Sequence, residues 1–589
     1  MSDNTTVEAS PDTEPETGPD TGVQADIQEW SARPWMLTGL LGLAGLLVHI
    51  ASDGVEGDPW RMALTAALVF GPLALAFVLS PQTWKSASVF ALAVAAIMAG
   101  IAWRATNAGD RFSDEQFWVA SGVICITLAL PLFQAGFHRL RWSTSYKATH
   151  FHVWTDAISG IGALAFVGLS WLVIVLLANL FQVIQIDFLD DLIEEEWFGW
   201  IFSGAAFGAS LGVLRNQLKV IGTLQNVVLL VLSILAVPLA IALVIFLVAV
   251  LVSGLDVLWE ATRSATPLLL AYAVGCFVLA NAVVRDDDAE ASDTGVLRVA
   301  GFVLAVGILP LSVMAAVSMG TRIDQHGLSP ERLWALVAIG VAVTYGVAYF
   351  VSAVRGRRVG WRNLLRQANM HLAIIICGVA LLLAMPVFNF GAISASHQLN
   401  RLASGAVNAE DFDYRSLRWD FGDAGRLALA KLVKSDNAEI AQLAKDAQES
   451  TRRYGQQPLA ERRRIAEKLD ILSLDEPVAK AVRAYVQDNP WICREGCRAE
   501  NMGEMSAGTV VYLHRIPHSG AGTFLVIAAD SDKAIALEFH RGQLLLPGQA
   551  RQTYSPLDGE IEIRPFVGQQ VFIDSKPASE PFKIEPPGE

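Results

Sequence analysis

Charged side chains are scarce in this sequence. Asp, Glu, Lys and Arg make up 17% of its 589 residues, against about 25% in typical soluble domains. The shortage is uneven, because residues 35–391 hold nineteen Lys and Arg, whereas the shorter segment 392–589 holds twenty-four. The composition therefore excludes one uniform soluble protein and indicates an apolar part followed by a soluble part.

Positive charge is in particular deficit, with 44 Lys and Arg against 58 Asp and Glu and a net charge of −14. Nucleic acid is not an expected partner, because binding its phosphates requires a basic surface. Residues 1–34 contain eight Asp and Glu, four Pro and few large apolar side chains. This composition predicts a disordered acidic tail, and its acidic charge is not typical of a secretory signal.

Long apolar runs occupy residues 35–391. A membrane core of roughly 30 Å requires about 20 residues of helix, and most of these runs contain no charge. Eleven of them are candidate spans: 35–51, 60–79, 87–103, 117–137, 155–182, 197–213, 226–253, 266–284, 298–320, 332–353 and 371–391. The sequence therefore predicts a polytopic α-helical membrane protein with about 11 transmembrane helices and a lipid bilayer as its surroundings.

A C-terminal α+β soluble domain is expected to follow the spans. Residues 392–490 have apolar positions at helical spacing, from Ala424 to Val433 and from Ala438 to Tyr454. Residues 491–576 contain short apolar runs bounded by Gly, Pro or Asp, which predict strands. Residues 577–589 hold four Pro and are expected to form a tail.

The orientation of the spans follows from the Lys and Arg of alternate loops. The side that includes the N terminus, here called side one, has fourteen, and the opposite side, side two, has six. Because cytoplasmic loops are enriched in Lys and Arg, the N terminus is predicted to be cytoplasmic. An odd number of spans then places the soluble domain outside the cytoplasm. The acidic loop 187–196 falls on side two, and a solvated run of charge is favoured there over a calcium loop.

One span carries a regular pattern of small residues. Gly204, Gly208 and Gly212 recur at a spacing of four, which places them on one face of a helix. Such a face lets a neighbouring helix approach closely, so the pattern predicts helix packing. The alternative is that glycine is simply common in membrane helices.

Several segments near the end of the apolar part resemble one known family. They are Leu309 to Leu311, Arg322 to Arg332, Pro386, Ile393 to Leu402, Asp413 to Trp419 and Arg426 to Leu429. Together they resemble the bacterial membrane-protein family known as domain of unknown function number 4153. The resemblance implies a multi-pass protein of the bacterial inner membrane without an established activity. The family usually has an aromatic residue where this chain has His326.

Charged residues cluster at the expected outer boundary of the membrane. Gly327 to Glu331 is typical of a turn entering a helix, in which Ser329 caps and Pro330 takes the first helical position. Surplus charges around this turn form either an ion-pair cluster that fixes the loop or a binding site for an anionic head group or glycan. The candidate ligand-binding residues are Asp256, Glu260, Arg322, Asp324, His326, Arg332 and Arg401.

Cys493 and Cys497 form the sharpest local feature of the soluble part. If this part lies outside the cytoplasm, a disulfide is the expected state. Two thiols or a metal site are the alternatives, and zinc would need two more ligands, such as His514 and His518. No metal ion and no cofactor is expected.

The sequence contains no phosphate loop, nucleophile elbow or zinc-helix motif. Three functions are therefore compared. A non-enzymatic envelope protein would present an extracytoplasmic domain that binds or senses a ligand or another envelope protein. A transporter or flippase would use kinked spans. A membrane-embedded transferase would need boundary carboxylates facing a phosphate-binding Arg. The first function is favoured, and an enzyme is not expected.

Overall fold

The structure is a computed structural model. It describes residues 30–54, 57–254, 265–288, 294–356, 360–450, 465–493, 496–505, 508–515, 524–530, 533–540, 543–545, 572–573 and 576–577. The acidic tail up to residue 29 and most of the C-terminal tail, both the subject of sequence predictions, lie outside this range. The described residues form two compact units. The first holds those up to Gln398 and Asp420–Ala424, and the second holds Leu399–Trp419 and the rest.

The first unit is a helical bundle. Among the described residues, eleven helices are long and apolar enough to cross a membrane. They are α1 Arg33–Ser52, α2 Pro59–Val78, α3 Trp84–Ala108, α4 Glu115–Gln134, α6 Tyr146–Val183, α8 Glu196–Asn216, α9 Leu218–Ser253, α10 Ala265–Val284, α11 Gly295–His326, α12 Pro330–Gly356 and α13 Trp361–Ala384. Two short helices, α5 Phe137–Leu140 and α7 Phe188–Glu194, lie between them.

The predicted fold class is confirmed, and the differences lie at the span ends. Helix α6 begins at Tyr146 and not near residue 155, and α13 runs from Trp361 to Ala384 instead of 371–391. A helix continues into polar sequence because its backbone hydrogen bonds continue, whereas a hydropathy pattern ends with the apolar side chains. Met385 interrupts the helix before Pro386, and α14 Phe390–Ala403 follows.

The bundle buries small and apolar residues inside and presents large apolar residues outside. Its largest core joins α9 to α13 and includes Leu269, Leu304 and Ile308, all at most 3% exposed. Leu180 and Leu251, in contrast, are 60% and 84% exposed. Because these outward faces are apolar, a lipid bilayer is the environment that matches them.

The second unit combines helices with a small sheet. Its helices include α15 Tyr414–Trp419, α17 Ala438–Glu449 and α18 Glu476–Asp488, while α16 Gly422–Leu432 begins in the first unit. A five-stranded sheet has the order β1-β2-β3-β4-β5, with β1 parallel to β2 and the remaining pairs antiparallel. Its strands are β1 Leu469–Leu472, β2 Cys497–Met505, β3 Gly508–Arg515, β4 Phe524–Ala529 and β5 Ala534–Ala536. Three-residue strands β6 Glu538–His540 and β7 Gln543–Leu545 pair with each other, as do β8 Phe572–Ile573 and β9 Lys576–Pro577.

Strand β1 lies in the segment that was predicted to be helical throughout. Its four residues are too few for a periodic pattern, and the parallel pairing with β2 spans 28 residues, from Leu469 to Cys497. Helix α18 covers the sheet, because Val482 and Val486 recur at a spacing of four and are both fully buried. The strand conformation of Leu469–Leu472 is therefore set by its pairing with β2, and the local sequence pattern does not predict it.

Candidate functional site

The turn that precedes α12 is held by hydrogen bonds to its backbone. Gly327 has a φ of +73° and ends α11, which is a conformation that favours glycine. The Ser329 hydroxyl accepts a 3.4 Å hydrogen bond from the Arg332 backbone N–H, and Pro330 opens α12. The Arg332 side chain donates to the carbonyl oxygens of His326 and Gly327 at 3.3 and 2.5 Å. The guanidinium thus fixes the loop through carbonyl groups.

Helix α14 completes this arrangement. The Gln398 amide donates to the carbonyl oxygens of His326 and Leu328 at 2.9 and 3.0 Å, and His397 Nδ1 accepts from the Leu328 N–H at 3.3 Å. These contacts join the two segments that carry the family resemblance, Arg322–Arg332 and Ile393–Leu402. Their side chains therefore hold one loop against one helix.

The remaining candidate ligand-binding residues differ in exposure and in the unit to which they belong. Asp256 and Glu260 lie outside the described residues. Asp324 and His326 are exposed and Arg322 is half-buried, while Arg401 belongs to the second unit. The hypothesis of a ligand site built from these residues stays a prediction.

A more concentrated group of polar side chains lies at the same end of the bundle. We call Arg104, Asp114, Glu115, Trp118 and Trp334 the Asp114 cluster. The Arg104 guanidinium lies 3.4 Å from the centroid of the Trp118 ring and donates to the Ala384 carbonyl oxygen at 3.0 Å. The cluster therefore joins the end of α3 and the start of α4 to the start of α12 and the end of α13.

Asp114 is the most deeply enclosed carboxylate of this cluster, with 1% of its surface exposed. Within the part of the chain that the structure describes, neither of its oxygens accepts a hydrogen bond of normal geometry. Burial raises the pKa of the Asp114 carboxyl, while the indoles of Trp118 and Trp334 and the Arg104 guanidinium lower this pKa by smaller amounts. Desolvation is the dominant effect and favours the neutral acid.

Close backbone contacts cover the loop that carries Asp114. A Cβ atom on Gly391 would lie 2.5 Å from the Phe421 carbonyl oxygen and 3.1 Å from Ser113 Oγ. A Cβ atom on Gly422 would overlap the Arg111 carbonyl oxygen. Segment Asp420–Ala424 is thus packed tightly on the loop between α3 and α4, within the first unit.

A second polar group lies at the opposite end of the bundle. We call Tyr146, Asn281, Tyr349 and Asn369 the Asn369 network. Asn281 Nδ2 donates to Tyr349 Oη at 2.8 Å, Tyr349 Oη donates to Asn369 Oδ1 at 2.6 Å, and Asn369 Nδ2 donates to Asn281 Oδ1 at 2.6 Å. This closed ring connects α10, α12 and α13, and Tyr146 adds α6 through a 3.4 Å contact with Asn369. The network therefore holds the ends of these four helices together at one end of the bundle.

Arg366 extends this polar end. Its guanidinium donates to the carbonyl oxygens of Val284 and Arg285 at 2.8 and 3.0 Å and pairs with Asp288 at 2.9 Å. It therefore satisfies carbonyls at the C-terminal end of α10, which a helix leaves without partners of its own.

The glycine stripe of α8 faces α1. A Cβ atom on Gly204 or Gly208 would overlap the carbonyl oxygen of Leu41 or Leu37, and one on Gly212 would lie 2.5 Å from Pro34 Cα. The two helix backbones approach each other at these three positions. Such an approach is open only to residues without a large side chain.

The cysteine pair lies in the core of the second unit. Cys493 and Cys497 are joined by a disulfide, and both are fully buried. They pack with Val482, Ala499 and Ile527 among others. No group of three or more His, Cys, Asp or Glu in the described residues is arranged to hold a metal ion. His518, one of the two further ligands that a zinc site would need, lies outside the described residues.

The acidic loop contributes to an open cavity of about 610 Å³ at the side-two end of α1 and α8. The residues that line it are His49, Asp53, Asp191, Glu194, Glu195, Glu196 and Trp197. The carboxylates are distributed around a wide opening.

Eleven long apolar helices with polar groups at their two ends define a multi-pass membrane protein. Residues 38–432 match the family described as "Domain of unknown function (DUF4153)". Because the match covers more than half of the sequence, the chain belongs to this family, and the resemblance found in the sequence is confirmed. Comparisons with curated proteins and with solved structures found no match.

The Asp114 cluster was not among the candidate sites predicted from the sequence. Asp114 and Glu115 precede a span, where an acidic pair is commonly a solvated helix start. The available signal was the density of Trp and Arg around them, at Trp103, Arg104 and Trp118. The contribution of Trp334 comes from a segment more than 200 residues away and could be found only in the folded bundle.

Proposed function

We propose that this chain is a non-enzymatic protein of the bacterial inner membrane that presents a disulfide-bonded binding domain on the extracytoplasmic side. The observation that carries the proposal is the Cys493–Cys497 disulfide in the core of the second unit. Disulfides persist in oxidising compartments and are rare in the cytosol. A domain that contains one in its core belongs outside the cytoplasm.

The charge distribution independently supports this orientation. The described residues hold eleven candidate spans, and an odd number favours the two ends of the chain lying on opposite sides of a membrane. Side one has fourteen Lys and Arg and side two has six, which favours a cytoplasmic side one. In this orientation Arg366 and the Asn369 network would lie at the cytoplasmic side, and the chain would leave α13 at the opposite side.

The binding role is supported by the folded structure of the second unit, which combines helices with a five-stranded sheet. Strand β5 lies at one edge of the five-stranded sheet and α18 packs against it, so the second unit has a folded surface of its own that supports this role. A ligand of the envelope or another envelope protein is the partner proposed for this domain. The transporter alternative is supported by Pro131, Pro238 and Pro310 inside α4, α9 and α11 and by the close approach of α1 and α8, and the transferase alternative depends on Asp256 and Glu260, which lie outside the described residues. The disulfide favours the extracytoplasmic domain over both.

The orientation is testable with paired fusions. A reporter enzyme active only outside the cytoplasm, fused after Glu589, is expected to be active, and a cytoplasm-only reporter at the same position is expected to be inactive. Fusions in the side-one loop between α2 and α3 serve as the matched control and should give the reverse pattern. A cytoplasmic C terminus would contradict the proposal.

The redox state provides a second readout on the same chain. In a variant with Cys125, Cys276 and Cys377 replaced by Ser, only Cys493 and Cys497 remain. Alkylation of the denatured protein, taken directly from cells, is expected to add two maleimide groups only after reduction. Two additions without reduction would show thiols and remove the observation on which the proposal rests.

A further inference from the structure

The Asp114 cluster contains two carboxyl groups and one cation. Arg104 reaches the cluster from α3, and Glu115 lies beside Asp114 at the start of α4. The other elements contribute neutral groups: the Trp334 indole from α12 and the Ala384 carbonyl from α13. The negative charge of Asp110 also raises the pKa of the Glu115 carboxyl, after the larger effects of burial and of Asp114. With both carboxyl groups ionised, the cluster would therefore carry uncompensated negative charge.

Arg104 cannot serve both carboxyl groups. Its guanidinium lies 3.4 Å from the centroid of the Trp118 ring and donates one N–H to the carbonyl oxygen of Ala384 at the end of α13. Asp114 is 1% exposed, and its oxygens accept no hydrogen bond of normal geometry from the residues that the structure describes. An ionised carboxylate in such surroundings is strongly unfavourable, and a buried acid commonly takes up a proton instead.

We propose that Asp114 is a proton-binding site, with a proton resident at neutral pH. The ligand is a proton because the carboxyl oxygens are enclosed by two indoles, which leaves them less than 1 Å² of exposed surface each. The raised pKa of the Asp114 carboxyl agrees with this geometry. The site lies beneath the loop on which Gly391 and Gly422 pack.

Loss of this proton would place a charge under closely packed backbone. Segment Asp420–Ala424 contacts the loop through positions that leave no room even for a Cβ atom. Ionisation of Asp114 is therefore expected to loosen the loop and the segment together. The cluster makes the side-two end of the bundle sensitive to the pH on that side.

The sign of the pH dependence follows from linkage. A carboxyl whose pKa is higher in the folded than in the unfolded protein favours folding at low pH, and the advantage is lost as pH rises towards the folded pKa. Over that range the folded-to-unfolded ratio falls about tenfold for each pH unit per group. Asp114→Asn removes the titration and keeps the shape.

The test compares the thermal stability of the full chain in detergent between pH 5 and 8. The melting temperature of the wild type is expected to fall relative to that of Asp114→Asn as pH rises. Asp187→Asn, which alters an exposed carboxyl at the same end of the bundle but outside the cluster, is the control and should follow the wild type. A constant difference between wild type and Asp114→Asn would overturn the proposal.

Two further measurements test the same proposal without relying on the stability of the variant. If Asp114→Asn does not fold, infrared spectra of the wild type at neutral pH decide, since a resident proton gives the carbonyl stretch of a neutral carboxylic acid that disappears at higher pH. Absence of that band overturns the proposal. Exchange of potassium for sodium chloride should leave the pH dependence unchanged, and a sodium-dependent shift would show that a metal cation, not a proton, is the ligand.

Discussion

At the residue scale, hydrogen-bonded polar side chains connect helices that apolar contacts alone would leave able to slide. The ring formed by Asn281, Tyr349 and Asn369 is buried, and each member both donates and accepts. In a membrane, removing one member leaves its partners without water to replace it. The hydroxyl of Tyr349 links the two asparagines, because it accepts a hydrogen bond from Asn281 and donates one to Asn369.

Tyr349→Phe is therefore expected to destabilise the bundle by about 1 kcal/mol, within the range measured for interhelical hydrogen bonds in membrane proteins. The stacking of the aromatic ring of residue 349 on Phe277 would remain. Thermal unfolding of the detergent-solubilised chain measures the effect. Tyr272→Phe changes an exposed tyrosine on α10 and should have no effect; equal losses in both variants would argue against the network.

At the element scale, the contact of α1 with α8 depends on missing side chains. Leu37, Leu41 and Leu211 form the apolar core beside it, and the glycine stripe brings the backbones together. The sequence pattern identified the stripe because a spacing of four defines a helix face. The partner helix was not predictable, since α1 precedes α8 by more than 140 residues and no local pattern relates them.

Gly208→Ala is expected to destabilise the bundle by about 1–3 kcal/mol, the usual cost of overpacking. The added Cβ would overlap the Leu37 carbonyl group, and backbone cannot move aside as a flexible side chain can. The melting temperature of the purified protein is the measurement. Gly168→Ala on α6 meets nothing within 4 Å, so it should be neutral or stabilising. A neutral Gly208→Ala would mean that the helices are separated.

At the scale of the whole molecule, the chain consists of a bundle stabilised within a bilayer and a unit stabilised by a core of its own. In the second unit that core is small, and its fully buried members include both half-cystines and Val482, Val486 and Ile527. A disulfide contributes most where few apolar side chains are buried.

Removal of the disulfide is expected to destabilise the second unit selectively. Cys493→Ser combined with Cys497→Ser opens a loop of five residues, worth about 2 kcal/mol in the chain-entropy model. Limited proteolysis of the full chain should show faster cleavage after residue 424 and unchanged cleavage within the bundle. A reducing agent should accelerate cleavage of the wild type but not of the double variant; acceleration of both would exclude the disulfide as the cause.

The sequence by itself determined the architecture, because a run of about 20 apolar residues has few stable alternatives to a membrane helix. It also determined the turn at Gly327 to Pro330 and the family, through residues that are adjacent in the chain. Only the tertiary structure decided which side chains meet. The Asp114 cluster draws on α3, α4, α12 and α13, and the Asn369 network draws on α6, α10, α12 and α13. Asp114 and Asn369 each look ordinary at a helix end, and their roles arise from burial and from partners that helix packing supplies.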